Sequence, residues 1–315
     1  MSAASVHWLY PPGIPRDRGT VATVGTFDGV HLGHWRVLEE IRERAEASGR
    51  RSVLVTFDPH PLRVVRPDDA PPLLTMPLEK KEILAESGLD FAVFLRFTKA
   101  LSRYEPRRFV EEILVGRIGV EELVVGYDHG FGRNRSGDAD AIRDMGAELG
   151  FTVDVVDPVE IDGQTVSSSR VRRAIQALEF GEARACLGRP YSLRGIVVRG
   201  EGRGRGLGFP TANLQVGDRD KLVPPTGVYA VRGVLRNGVG HAGALHIGPR
   251  PTFQGSPPTI ELHLIGFEGD LYGEEIKVEF VDHLREVHPF DGVESLVAQL
   301  RQDVDAAARA VDAEA

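Results

Sequence analysis

Residues 20–45 read TVATVGTFDGVHLGHWRVLEEIRERA. The first five are β-branched or small, as in a short buried strand. From Leu32 onward the pattern is helical. Val37, Leu38, Ile41 and Ala45 share one face, while Arg36, Glu39, Glu40 and Glu43 point elsewhere. Between strand and helix lies GTFDGVHLGH, residues 25–34. A tight turn needs the glycines and accommodates the aspartate, but it does not need His31 and His34. Imidazoles three apart at a helix start project to one side. The helix N-terminus adds unpaired N–H groups and partial positive charge. Together they form a pocket for a phosphate, with Gly29 and Gly33 allowing it to approach the backbone. For an isolated histidine pair, a turn with two surface imidazoles is the commoner outcome. A zinc site is disfavoured, since no third ligand lies nearby.

The strand–turn–helix unit repeats. Short apolar runs at Val21–Val24, Val53–Phe57, Phe91–Leu95, Leu123–Val125 and Val153–Val156 alternate with amphipathic stretches. One of these is marked by Phe109, Ile113 and Leu114 and begins at EPRRF, with proline in its first turn. Such alternation predicts an α/β, Rossmann-like parallel sheet covered on both faces. Ligands then sit at the strand carboxyl ends, where GTFDGVHLGH falls. His60, at another strand end, reads either as a phosphate contact or as a structural residue between prolines.

From about residue 190 the pattern changes. GIVVRG, GVYAVRGVL, HAGALHI, TIELHLIGF and EIKVEFVDHL are strands separated by glycine-rich turns. Asn237-Gly238 is a hairpin signal of the type I′ kind. Serial hairpins predict a small antiparallel β-barrel. A C-terminal helix starts near Val293, with Val293, Leu296, Val297, Leu300 and Val304 as its stripe and Asp291/Glu294 at capping-box spacing. The expected domains are 1–182 and 183–315.

Two patterns in the second half carry chemistry. GEGRGRGLGFPTANL, residues 200–214, spaces Gly200, Gly204 and Gly208 by four and lacks the Gly-Lys-Ser/Thr of a Walker loop. Thr211 and Asn213 are two apart, so an extended segment presents both oxygens on one face, as Mg²⁺ accepts. A turn with polar caps is the plain alternative. In TIELHLIGF, Glu261 and His263 share the face opposite Ile260, Leu262 and Leu264. A strand carboxylate is ordinarily just the wet face. His263 reads as structural.

The chain has 315 residues, 42% hydrophobic and 27% charged, with net charge −8. That composition is globular and gives no global attraction to nucleic acid or anionic lipid. A single cysteine, Cys186, excludes an internal disulfide and a multi-cysteine metal site. No stretch reads as a signal peptide or membrane span, so the expected location is cytoplasmic.

GTFDGVHLGH resembles the H-x-G-H signature of nucleotidyltransferases, and in its FDGVHxGH form the bacterial bifunctional riboflavin kinase/FAD synthetase family. TFDPHP (56–61), VVGYDHGFGRNRSGD (124–138), VSSSRVR (166–172), GRGLGFPTANL (204–214), GVYAV (227–231), HIGPRPTF (246–253) and ELHLIGFEGDLYGE (261–274) follow in the family's order. Trp35, His129 and Gly130 depart from its usual residues. The resemblance implies a first domain that adenylylates FMN to FAD with ATP, releasing pyrophosphate. His31 and His34 would stabilise charge on the transferring phosphate. Arg170 would grip pyrophosphate, and Gly25, Phe27, Asp28, Gly33, Asp128, Ser167 and Ser168 would contact nucleotide or flavin. Asp28 reads more as a shaper of the turn than as a proton carrier. The resemblance implies a second domain that phosphorylates riboflavin to FMN. There Gly204 and Gly208 would cradle ATP, Thr211 and Asn213 would hold Mg²⁺, Glu261 would act as general base, and Arg285 would lie on the flavin or phosphate side. The implied partners are riboflavin, FMN, FAD, ATP and pyrophosphate, and a homo-oligomer stays open. Two rivals remain: a nucleotidyltransferase for another small phosphate with a regulatory flavin-binding barrel, and a non-catalytic flavin store or sensor.

Overall fold

The protein is described by a computed structural model, which covers residues 5–7, 14–15, 17–127, 139–200, 203–248 and 258–314. The chain divides into two compact units, Met1–Ser168 and Ser169–Ala315.

The first unit is built on a parallel sheet. Its strands are β1 (Ser5–His7), β2 (Thr20–Val24), β3 (Arg51–Asp58), β4 (Phe91–Arg96), β5 (Val120–Gly126) and β6 (Thr152–Val156), in the order β1-β4-β3-β2-β5-β6. The five apolar runs of the sequence are β2 to β6. Strand β1 adds an edge beside β4, pairing Val6 with Ala92. Alternation along each strand sends side chains to opposite faces. Val53 and Val55 enter one core with Val93, Leu123 and Val125, whereas Leu54 enters the other with Val21, Phe94 and Val124.

Helix α1 (Leu32–Ser48) covers the second core with Val37, Leu38, Ile41 and Ala45, and ends at Gly49 in the left-handed conformation. Short α2 (Pro61–Val65) follows β3, and α3 (Pro77–Ala85) precedes β4. Helix α4 (Pro106–Phe109) starts at the expected proline but continues as a π-helical run, Val110–Ile118, which buries Val110, Ile113, Leu114 and Ile118. Helix α5 (Ala139–Leu149) completes that side. A two-stranded ribbon, β7 (Glu160–Ile161) and β8 (Gln164–Thr165), leads into α6 (Ser168–Gln176).

In the second unit, α7 (Phe180–Leu187) precedes a closed antiparallel barrel. Its members in chain order are β9 (Ser192–Val198), β10 (Ala212–Gln215), β11 (Gly227–Val234), β12 (Gly240–Gly248), β13 (Thr259–Leu264) and β14 (Glu275–Arg285). They close in the order β10-β13-β12-β11-β14-β9. The one-turn helix α8 (Arg203–Gly206) lies between β9 and β10, and α9 (Val293–Ala313) packs on β11, β12 and β14. The expected boundary at 182/183 falls inside α7. Phe180 of that helix is buried, stacking on Phe280 at 5.2 Å and meeting the edge of Tyr229 at 5.7 Å.

Candidate functional site

In the first unit the chemistry gathers at the carboxyl end of β2. The chain leaves that strand through a turn in which Phe27 (φ 48°), Gly29 (φ 83°) and Val30 (φ 41°) are left-handed. For a β-branched residue such as Val30 this is a strained conformation, of the kind kept where surroundings over-determine it. The surroundings are visible. Asp28 is buried, and its carboxylate accepts hydrogen bonds from the Leu74 and Thr75 amides at 3.0 Å and from the Thr75 hydroxyl at 3.2 Å. The Gly29 amide donates to Thr75 Oγ1, and the Ser168 hydroxyl donates to the Asp28 carbonyl. Asp28 therefore shapes the turn. Lys80, on α3, is buried and donates from Nζ to the Thr26 carbonyl at 2.7 Å. Burial lowers its pKa while Asp28 and Asp58 pull it back up.

This scaffold presents the two histidines. His31 is the N-cap of α1, and its ring stacks on that of His34 at 3.7 Å; Phe27 stacks on the far side of His34 at 4.5 Å. Gly33 and Gly25 are needed by close approach. A methyl group on Gly33 would come within 3.2 Å of the His31 ring, and one on Gly25 within 2.9 Å of Phe27. Stacked imidazoles at a helix start, with the dipole behind them, are suited to an anion.

Other first-unit candidates resolve differently. His60 Nδ1 accepts the Leu62 amide, capping α2. Trp35 packs against the core beneath α1. Ser167 precedes α6, and Asp128, His129 and Gly130 lie outside the described residues. Arg170 falls on the second-unit side of the division. It is buried, and its Nε donates to Glu182 of α7 at 2.6 Å.

In the second unit one row of paired residues crosses five strands. Asn213 pairs with Glu261, Glu261 with His246, His246 with Val228, and Val228 with Arg285. Paired residues present their side chains on the same side of a sheet. The two residues predicted for metal and base chemistry are thus direct neighbours. Arg285 lies three strand spacings from Glu261, about 14 Å along the sheet. Its fork grips Asp303 of α9 through Nε at 2.9 Å and Nη2 at 2.7 Å, and Gln299 supports the same carboxylate. His246, which the sequence did not single out, stands between Glu261 and Arg285 in this row. Burial lowers its pKa against a raising pull from Glu261.

The glycine spacing now has a cause. A methyl group on Gly200 would sit 2.1 Å from Asn213 Nδ2. One on Gly204 would sit 2.3 Å from the Phe209 carbonyl and 3.2 Å from Thr211 Oγ1. Each glycine clears space beside one predicted metal ligand. Gly208 instead serves the turn, with φ 84°. His263 Nδ1 bonds the Pro210 carbonyl at 2.8 Å and so fixes the start of the Thr211–Asn213 segment. Two neutral oxygens beside a glycine cradle and a carboxylate fit Mg²⁺, which takes few protein ligands and completes its shell with phosphates and water.

Comparison with known proteins divides the chain the same way. Residues 14–170 match the FAD synthetase family model and residues 187–311 the riboflavin kinase model. A protein of Pseudomonas fluorescens named bifunctional riboflavin kinase/FMN adenylyltransferase is 42% identical, over 95% of each chain. A Listeria monocytogenes protein of the same name is 38% identical over 91% of each. A solved structure from Streptococcus pneumoniae, titled a macrolide-efflux protein, superposes with a TM-score of 0.83 at 29% identity, covering 93% of this chain and 96% of that one. No helix among the described residues here is long and apolar enough to cross a membrane.

Proposed function

The chain belongs to the bifunctional riboflavin kinase/FMN adenylyltransferase family, and on that premise we propose how its residues divide the two reactions. It phosphorylates riboflavin to FMN and adenylylates FMN to FAD, with ATP as co-substrate of both. The assignment rests on one observation: the histidine stack at the α1 start and the Asn213–Glu261 pair lie in different compact units.

In adenylyl transfer an FMN phosphate oxygen bonds to the α-phosphorus of ATP, and the bond from that phosphorus to the bridging oxygen breaks, releasing pyrophosphate. Such chemistry depends on positioning and charge stabilisation. His31 and His34 donate hydrogen bonds to the phosphate oxygens, and the α1 N-terminus adds amides and partial positive charge. Gly25 and Gly33 keep the backbone close, and Phe27 fixes the His34 ring.

In the kinase reaction the riboflavin 5′-hydroxyl attacks the γ-phosphorus and ADP leaves. Glu261 takes the hydroxyl proton. Thr211 and Asn213 would hold Mg²⁺, which would neutralise charge on the ATP phosphates. Gly204 and Gly208 let the loop lie against them. Arg285 holds α9 in place through Asp303. The working division of the two activities lies between Ser168 and Leu187, and a single buried cysteine, Cys186, suits a cytoplasmic setting.

A crossover experiment tests the division. His31→Ala lowers FAD formation by roughly 10²–10³ and leaves FMN formation intact. Glu261→Gln lowers FMN formation by roughly 10²–10⁴ and leaves FAD formation from supplied FMN intact. Chromatography of the flavins reads both. Joint loss of the two activities in either variant removes the assignment.

A further inference from the structure

We propose that Lys80 is a positioning residue for adenylyl transfer, holding the strained turn that aims His31 and His34. The inference rests on the assignment of those histidines to that reaction. Nothing in the histidine motif itself includes a lysine. Lys80 lies 54 residues from Thr26, yet its Nζ reaches the Thr26 carbonyl at 2.7 Å from a position only 6% exposed. Long charged side chains are rarely buried this far unless paired. The hydrogen bond here is to the turn, at the Thr26 carbonyl, and the charges of Asp28 and Asp58 favour the ammonium against its burial.

The geometry explains why the turn needs this. Phe27 and Val30 both carry positive φ, which each residue would relax if released. Thr75 and Leu74 restrain the turn at Asp28 and Gly29, downstream of Phe27. Lys80 restrains the Thr26 carbonyl, upstream of it, at 2.7 Å, together with the Thr56 hydroxyl of β3, which donates to the same oxygen at 3.1 Å. The strained stretch is thus held on both sides, by Thr75 and Lys80 from one segment and by the Thr56 and Ser168 hydroxyls from outside it; Lys80 is the one charged donor among these four. Removing the Lys80 ammonium leaves that carbonyl to the weaker, neutral Thr56 hydroxyl and loosens the backbone next to Phe27. Phe27 stacks on His34 and His34 on His31, so the aromatic stack moves with it. Lys80 does not touch the reacting phosphates in this account; it acts through the turn.

The test uses full-length Lys80→Met and Lys80→Arg beside His31→Ala. Methionine keeps the apolar length and removes the donor. Riboflavin kinase activity of the same chain is the internal control, and thermal melting reports the fold. The expected result for Lys80→Met is a loss of about 10²-fold in kcat for FAD formation, as a misplaced catalytic group gives. KM for ATP and FMN stays within about twofold, because the missing interaction is one that orients the transition state. Lys80→Arg, which can still donate to the carbonyl, recovers most of the rate. Full FAD synthesis in Lys80→Met overturns the inference. So does a loss carried by KM, a loss matched by collapse of the first unit's melting transition, or an arginine variant no better than methionine. If His31→Ala itself retains FAD formation, the histidine assignment has failed; if only Lys80→Met retains it, the failure is confined to Lys80.

Discussion

A single methyl group probes the kinase site. Gly200 lies where an added Cβ would meet the Asn213 amide at 2.1 Å, a distance that forces the Asn213 carboxamide to swing from its place beside Glu261. Gly200→Ala is therefore expected to cut FMN formation by about 10²-fold. FAD formation from supplied FMN should stay within about twofold, since Gly200 has no part in the first unit. Unchanged FMN formation would show that Asn213 has room to shift without harm. The glycine spacing was legible in the sequence, as were His31 and His34, because chemically capable residues stood where a plain turn had no use for them; Glu261 stood out only through the family resemblance, since a strand carboxylate ordinarily marks just the wet face. Lys80 was not legible. It sits in PLEKKEIL, beside a second lysine and among glutamates, which reads as a wet helix face. Only the approach of a loop 54 residues earlier in the chain makes it a buried group. His246 was hidden for the same reason: its importance comes from cross-strand register with Glu261, and register is set by turns rather than by local pattern.

At the level of elements, α9 shows what periodicity gives and what it leaves out. Of the stripe expected on it, Leu296, Val297, Leu300 and Val304 are half-buried and only Val293, at 63% exposed, lies outside, yet the residues the helix buries fully are Asp303 and Ala307. The helix is held by the two-pronged Arg285–Asp303 pair, with Asp303 only 5% exposed. No hydrophobicity pattern announces a buried ion pair. Nor did the capping box form: the N-cap is Gly292, and the Ser295 hydroxyl donates to its carbonyl. Asp303→Ala is expected to destabilise the second unit by about 3–5 kcal/mol, because it strands a largely buried guanidinium. Denaturant melts of the full chain measure it, and a shift below about 1 kcal/mol would show that apolar packing alone secures the helix. The hairpin between β11 and β12 was foreseen in place but not in form. Gly238 alone of the Asn-Gly pair is left-handed (φ 83°), and its amide donates to Leu235. This fits a turn followed by a glycine bulge rather than a type I′ turn, and it adds one residue to the loop.

At the scale of the whole molecule, the sequence showed two halves by their change from helix–strand alternation to serial hairpins. The seam was less legible, because the expected boundary at 182/183 cuts α7, whose aromatic residue completes the core of the second half. Phe180 packs on Phe280 and Tyr229, all three buried. A fragment of residues 169–315 is expected to fold cooperatively and make FMN. One of residues 183–315 cuts α7, loses Phe180, and should be less stable by about 3–5 kcal/mol, the usual cost of emptying a buried aromatic site. Equal melting of the two fragments would show that α7 is dispensable to the barrel. Barrel closure bears on how such fragments behave in solution. Strand β9 bonds β14 on one side and β10 on the other, so it is the stave that makes the ring continuous. With it in place, every barrel strand has a neighbour on both flanks, and no raw rim is offered to a second molecule. Trimming past Val198 would open a gap bordered by the long β14, an adhesive edge of unpaired amides and carbonyls. The hazard of over-trimming is then clumping of partly assembled chains, which would set in before any residue of the Thr211–Asn213–Glu261 set had been removed.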